Sequence, residues 1–273
     1  MQTYNLSDLG KRAGKRKGST VLLPEIHVRL ASEREYYSAL LKVVNGLFAH
    51  TRDSIIPAYI AEQESIRREQ AITRDVDRSW FTNLTRIAAA LVGIADSTVA
   101  NILNLESQRH TSRFMADVKR VIGVDVGAII RDEDLDGYLR TATSMSTMLI
   151  RNMAEDTIKR IETAVYTNAI QGNSVKTLRE DLQKQFGISK RRAQLIARDQ
   201  MGKFNGNLTK IRQQQAGVTH YFFTTSHDER VRPLHKSLDG VKYKWGEPTG
   251  AEGGLPPGQS VMCRCWAKGI VDF

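Results

Sequence analysis

From about Val28 to Ala216 the apolar positions recur at helical spacings. Leu30, Tyr37, Leu40, Leu41, Val44 and Leu47 follow steps of mostly three, four and seven, and Pro57 then forces a helix boundary or sits in the first turn of the next helix. Trp80, Leu84, Ile87, Leu91 and Ile94 form a narrow seam of the bundle type, which predicts a long helix or a broken helix pair over 75–122. A further stripe of Leu149, Met153, Ile158, Ile161, Val165 and Ala169 ends at Gln171-Gly172-Asn173, and Ser174 is the expected N-cap of a short helix closed by Gly187. Ser189 is the expected N-cap of a last helix bearing Ala193, Ile196, Ala197 and Leu208, with Gly217 as its C-cap glycine.

After Gly217 the pattern changes. His220 to Thr225 is aromatic and β-branched, and Val241 to Trp245 alternates apolar and charged side chains, so both read as strands. A third strand is expected from Val261 to about Val271, with Val261, Cys263, Cys265 and Ala267 on one face. Gly- and Pro-rich loops separate them. The expected fold is therefore a predominantly α-helical body with a small C-terminal α+β module of short strands and Gly/Pro-rich loops. Its divisions are a flexible basic N-terminal arm over 1–27, a helical body over 28–173, and a C-terminal module over 174–273 made of helices to 216 and a strand-rich cap.

Charge and composition narrow the partners. The 273 residues carry a formal charge of +10, and two segments hold the excess. Lys11, Arg12, Lys15, Arg16 and Lys17 face Asp8 alone in the first twenty residues. Lys190, Arg191, Arg192 and Arg198 belong to a second basic stretch, 184–215, where Asp199 is the single acid. Such clusters attract phosphate backbones or acidic surfaces, or serve as solvated helix faces. The longest uninterrupted apolar run, Ile87 to Ala95, is about half a membrane span, and the N-terminus lacks the order of a signal peptide, so neither a membrane partner nor secretion is expected. Cys263 and Cys265 are too close together to build a disulfide framework, which points to a reducing compartment.

The ordered strings Asp228-Glu229-Arg230-Val231-Arg232-Pro233-Leu234-His235, Leu238-Asp239-Gly240, Pro256-Pro257-Gly258 and Cys263-Arg264-Cys265 resemble the C-terminal signature of tailed-phage minor head proteins, the phage Mu F-like head morphogenesis family. Arg192 to Arg198, followed by Gly217-Val218 before an aromatic strand, is similar to the family's approach to this module, while Asp199-Gln200 departs from the pair expected there. The resemblance covers about 174–271. It implies a non-enzymatic virion component assembled in the host cytoplasm, held in low copy inside the capsid near the portal vertex, with portal protein and packaged DNA as partners and no small-molecule substrate. A stand-alone nucleic-acid-binding protein and a metal-dependent hydrolase are the alternatives.

The motif residues also have local readings. Asp228 reads as a cap of backbone amides, Asp239-Gly240 as a hairpin turn, and Pro256-Pro257-Gly258 as a stiff turn element. Arg230, Arg232 and Arg264 either bind phosphate or form an ion-pair lattice with Asp228 and Asp239. The aromatic strand 221–223 reads as core, since no basic residues interleave it. Cys263, Cys265, His235 and His227 could form a closed structural zinc site, or the thiols could pack as small hydrophobes under Trp245 or Trp266. Against a thiol nucleophile stands the expected mid-strand position of both cysteines.

Overall fold

The computed structural model describes residues 3–69 and 79–273. In chain order these form α1 (Leu6–Arg12), β1 (Thr20–Leu22), α2 (Leu30–His50), a π-helical turn (Thr51–Ile55), α3 (Ile56–Glu69), α4 (Ser79–Ile122), α5 (Asp136–Ile170), α6 (Val175–Gln215), β2 (His220–Thr224), α7 (Pro233–Ser237), β3 (Lys242–Lys244) and β4 (Trp266–Asp272), with short 3-10 turns at Asp132–Leu135 and Glu252–Gly254. The helical body with a small α+β module is thus as expected. Part of the helix expected over 75–122, residues 75–78, lies outside the described residues. The chain divides into two compact units, one of Met1–Glu33, Ile102–Ala142 and Arg198–Phe273 and the other of Arg34–Asn101 and Thr143–Ala197.

All the regular elements among the described residues of the second unit are helices. Pro57 sits in the first turn of α3, where its missing N–H costs nothing, and the π turn absorbs the break from α2. The buried stripe of α4 differs from the expected seam: Phe81, Leu84, Ala88, Val92, Ala95 and Val99 are buried, whereas Ile94 is 63% exposed. Small side chains decide this, because close helix approach favours Ala and Gly over bulk. Where α2 meets α4, a Cβ on Gly46 would lie 2.5 Å from Leu91 Cδ1. α4 also holds an 18-residue window of mean hydropathy 1.5, long and apolar enough to cross a membrane by length and composition, with 33% of that window buried. Ser174 does cap α6 through Thr177 N at 3.2 Å. Gly187 and Ser189, however, are neither stop nor start, since α6 runs unbroken through both. Ser189 is instead buried, and its Oγ accepts from Thr157 at 3.3 Å.

The first unit is organised by a four-stranded antiparallel sheet of order β1-β4-β2-β3. The stretch expected to be a flexible arm is folded into it. β1 pairs with β4 from Thr20–Asp272 to Leu22–Ile270. Leu6 is fully buried with Leu23, Phe114, Val118, Val271 and Phe273. Thr3 and Tyr4 donate backbone bonds to Gln215 O, and Asn5 caps α1 through Ser7 N at 2.9 Å. The glycines among the basic residues serve packing and turns: Gly10 lies against the Phe273 ring, and Gly14 and Gly18 take left-handed φ. The third strand also starts later than expected, at Trp266, so both cysteines precede it in a loop. Tyr221 and Phe223 of β2 are fully buried, as a core strand requires.

The C-terminal half of α6 carries the rest. Gly217 ends it in a left-handed C-cap, with Val218 N reaching Gln213 O at 2.9 Å. Gln213 then ties two strands to the helix: its Nε2 donates to Ala267 O at 3.2 Å and its Oε1 accepts from Trp245 Nε1 at 3.0 Å. Two turns earlier the loop before β4 lies directly on the helix. A Cβ at Gly206 would meet Pro257 O at 3.2 Å and Gln259 Nε2 at 3.0 Å, and Gly258, at φ 86°, lies within reach of both Gly202 and Gly206. Gln259 Nε2 donates to Lys203 O at 3.0 Å and Met262 N to Asp199 Oδ1 at 2.8 Å. Polar groups are buried on the far side as well: fully buried Arg212 donates to Thr111 Oγ1 at 3.0 Å and pairs with Asp134 at 3.6 Å.

Two glycines of α6 should therefore respond oppositely to substitution. Gly187→Ala, with open space where its Cβ would go, should stabilise by about 0.5–1 kcal/mol in urea denaturation. Gly206→Leu, although leucine is the better helix former, should destabilise by about 1–3 kcal/mol because the loop backbone has to move.

A second test concerns His110, which is 2% exposed. Thr209 Oγ1 already donates to Asn205 O, so it accepts from His110 Nε2 at 3.0 Å, leaving Nδ1 without a hydrogen-bond partner among the described residues. Burial first, and the nearby Arg212 charge second, lower its pKa from 6.5 to about 3. The unfolded chain takes up this proton first, so the contribution is intact above pH 6.5 and declines as pH falls toward about 3. His110→Gln should flatten the loss of urea stability over that window relative to the parent chain.

Candidate functional site

The loop held on α6 delivers Cys263 and Cys265 to one place, and α7 delivers His235. Pro233 at the start of α7 presets the first turn, Arg232 stands in extended backbone ahead of it, and His235 ends up 2% exposed, edge-on to Phe223. Its Nδ1 faces Cys265 Sγ at 3.4 Å and Cys263 Sγ at 3.6 Å. On the opposite side of the ring Nε2 donates to Glu252 Oε2 at 2.6 Å, and Ser260 Oγ donates to the same oxygen at 3.1 Å. The His235 hydrogen bond is the main reason the Glu252 carboxyl is held down to about 2.

The two thiols are electrostatically unequal. A hydrogen bond from Cys265 lowers Cys263 to about 6, against the opposing effect of burial, and the same partnership with burial drives Cys265 strongly upward. A cavity of about 200 Å³ borders both cysteines and His235 and is lined by Arg198, Arg230, Arg232 and Arg264. Two of these guanidinium groups are paired with carboxylates, Arg264 with Asp228 and Arg232 with Glu252.

Several sequence readings of the surrounding motif are met locally. Asp228 accepts from Arg230 N at 2.9 Å, the expected cap, and also pairs with Arg264. Asp239 accepts from Thr225 N at 2.8 Å, and Gly240 follows at φ 76° with its N–H on Phe223 O, so this turn pins α7 to β2. Arg232 donates to Val261 O at 2.5 Å and reaches Glu252 at 3.4 Å. Two separate ion pairs result, Arg264–Asp228 and Arg232–Glu252, while Asp239 is taken up by Thr225 and His227 instead of an arginine. Pro256 is half-buried, while Pro257 and Gly258 are buried in the turn against α6.

Not all predicted residues join. His227 sits at φ 53° with its ring 3.6 Å from Asp239, and among the described residues the ligand cluster comprises His235, Cys263 and Cys265, whose donor atoms lie within 4.8 Å of one another. The His227 side chain is 65% exposed, which a closed four-ligand site does not allow for. The cysteines are not mid-strand, so that objection to thiol chemistry falls. Lys11, Arg12, Arg16 and Lys17 are exposed, while Lys15 donates to Val121 O at 2.9 Å. Lys190 and Arg191 are exposed, but Arg192 pairs with Asp156 at 2.6 Å. Sequence reasoning misses Glu252 and Asp199. Glu252 lies in a Gly-rich loop that carries no pattern, and Asp199 stands out in the sequence only as a departure from a motif.

Comparison with known proteins places this geometry. A protein-family model described as "Phage Mu protein F like protein" matches residues 159–268, which span all of α6, the sheet strands β2 and β3, the turn at Asp239-Gly240 and the cysteine loop. An uncharacterized protein of Haemophilus influenzae is 27% identical over 168 residues, covering 61% of this chain and 37% of that relative, so the chain spans little more than a third of the relative's length. No solved structure matches the chain. The His235–Cys263–Cys265 cluster, its arginines and the glycine-faced helix beneath it therefore lie within a segment, 159–268, that is phage Mu F-like.

Proposed function

We propose that the protein is a minor structural head protein of a tailed phage, acting in head morphogenesis at the portal vertex and in contact with packaged DNA. The observation that carries this reading is the phage Mu F-like match over 159–268, which falls on the segment containing the ordered Asp228-to-His235, Asp239-Gly240 and Cys263-to-Cys265 motifs. The family is one of head morphogenesis, and the role is structural rather than catalytic. The net charge of +10 supports a place beside nucleic acid, because cationic surfaces gain counterion-release free energy there.

Two experiments test it. Mass spectrometry of purified particles should find the chain in wild-type heads and depleted from heads assembled without portal protein; equal amounts in both would remove the portal from the reading. For the DNA partner, the basic N-terminal segment is folded rather than loose, so Lys11, Arg12, Arg16 and Lys17 present charge from fixed positions. Neutralising these four should lower the salt slope of DNA binding by roughly one for each phosphate that the protein ceases to neutralise. An unchanged slope would assign DNA binding to Lys190, Arg191 and Arg198 or strike DNA from the partners.

A further inference from the structure

We propose that His235, Cys263 and Cys265 bind one zinc ion through Nδ1 and two Sγ atoms, with the fourth position taken by solvent from the arginine-lined cavity. The distances suit a tetrahedral metal. Nitrogen at about 2.0 Å and sulfur at about 2.3 Å from a tetrahedral zinc lie about 3.5 Å apart. The Nδ1–Sγ separations of 3.4 and 3.6 Å bracket that figure. No rearrangement of the imidazole relative to the two sulfurs is needed.

The tautomer is also set for the task. With Nε2–H donating to Glu252 at 2.6 Å, the Nδ1 lone pair is left toward the sulfurs. This is the carboxylate–histidine–metal arrangement, and Ser260 fixes the carboxylate in turn. The alternatives use the geometry less well. A thiol nucleophile needs a single sulfur on the imidazole, whereas two are placed almost equally. A disulfide across one intervening residue would close a strained ring and leave the buried imidazole nitrogen facing it without a role.

Charge points the same way. Zinc binding would displace the thiol proton, and the divalent cation would cancel the charge of the two sulfurs it holds side by side. The ion would also join three loops with little apolar core of their own: the α7 segment, the 252–254 turn through Glu252, and the 257–265 loop. Phe223, Leu238, Ala251 and Cys265 are the buried members of the local cluster, a small core for that many turns.

The test uses the full chain purified without chelator. Elemental analysis should return about one zinc per chain. Cobalt replacement should give intense tetrahedral d–d bands together with thiolate-to-metal charge transfer. Cys263→Ser and Cys265→Ser should each weaken that charge transfer and lose the zinc. Because those variants could misfold, Glu252→Gln supplies an independent arm outside the coordination sphere: it should keep the fold by circular dichroism while lowering zinc affinity about 10–100-fold in competition with a chromogenic chelator. Less than about a tenth of a mole of metal per chain with no cobalt site on titration would overturn the proposal. So would zinc content unchanged in both serine variants. Rapid alkylation of one cysteine in the isolated chain, with no protection by added zinc, would assign the cluster to a reactive thiol, and a recovered Cys263–Cys265 disulfide would assign it to redox chemistry; either result would also sink the metal site. None of these outcomes depends on the protein being a head component.

Discussion

The direct approach of two backbones, α6 at Gly202 and Gly206 and the loop from Pro257 to Cys265, is the contact on which the first unit turns. Without a side chain at Gly206, the loop comes close enough for Gln259 to reach Lys203 O, and Met262 N reaches Asp199 one turn further back. Those bonds fix the path of the loop and hence the two cysteines. A few residues further along, Gln213 fixes β4 and Trp245 to the same helix. One helix thus sets the position of loop and sheet together, and the ligand cluster results from that alignment rather than from any local motif geometry.

The same dependence explains what was legible in the sequence. Helical periodicity located the long helices because apolar side chains at steps of three and four report a buried stripe. It mistook the face of α4, since the pattern is weighted by large side chains while Ala88, Ala95 and Gly46 mark where helices come together. Gly187 and Ser189 read as punctuation, yet both sit inside α6. A glycine in a helix signals an end when the backbone takes a left-handed φ, as Gly217 does; Gly206 is there for close approach, and spacing alone does not separate the two uses.

At the site, the ordered C-terminal motifs were legible because each sets a turn whose chemistry is local: Asp228 capping Arg230, Asp239 and Gly240 closing the turn onto β2. What joins them was not. Glu252 reaches His235 across seventeen residues of chain, and Asp199 reaches Met262 across sixty-three. Pairings of that range leave no periodic trace. The N-terminal segment hides its role for a similar reason: Leu6, Val21 and Leu23 show no period because they are anchors for a strand and a short helix completed by residues near the other end of the chain.

That last pairing has a kinetic consequence. β1 hydrogen-bonds only to β4 among the described strands, so during synthesis residues 20–22 have no partner until the chain has been made through Asp272. The cluster around Leu6 and Leu23 likewise lacks Val271 and Phe273 over that interval, whereas the other unit, whose stretches end at Ala197, can collect its own core earlier. Loop closure over about 250 residues is slow relative to helix docking. The sheet of the first unit therefore closes only once β4 has been made, and a chain interrupted before β4 presents an unsatisfied strand, a state that chaperones and proteases recognise.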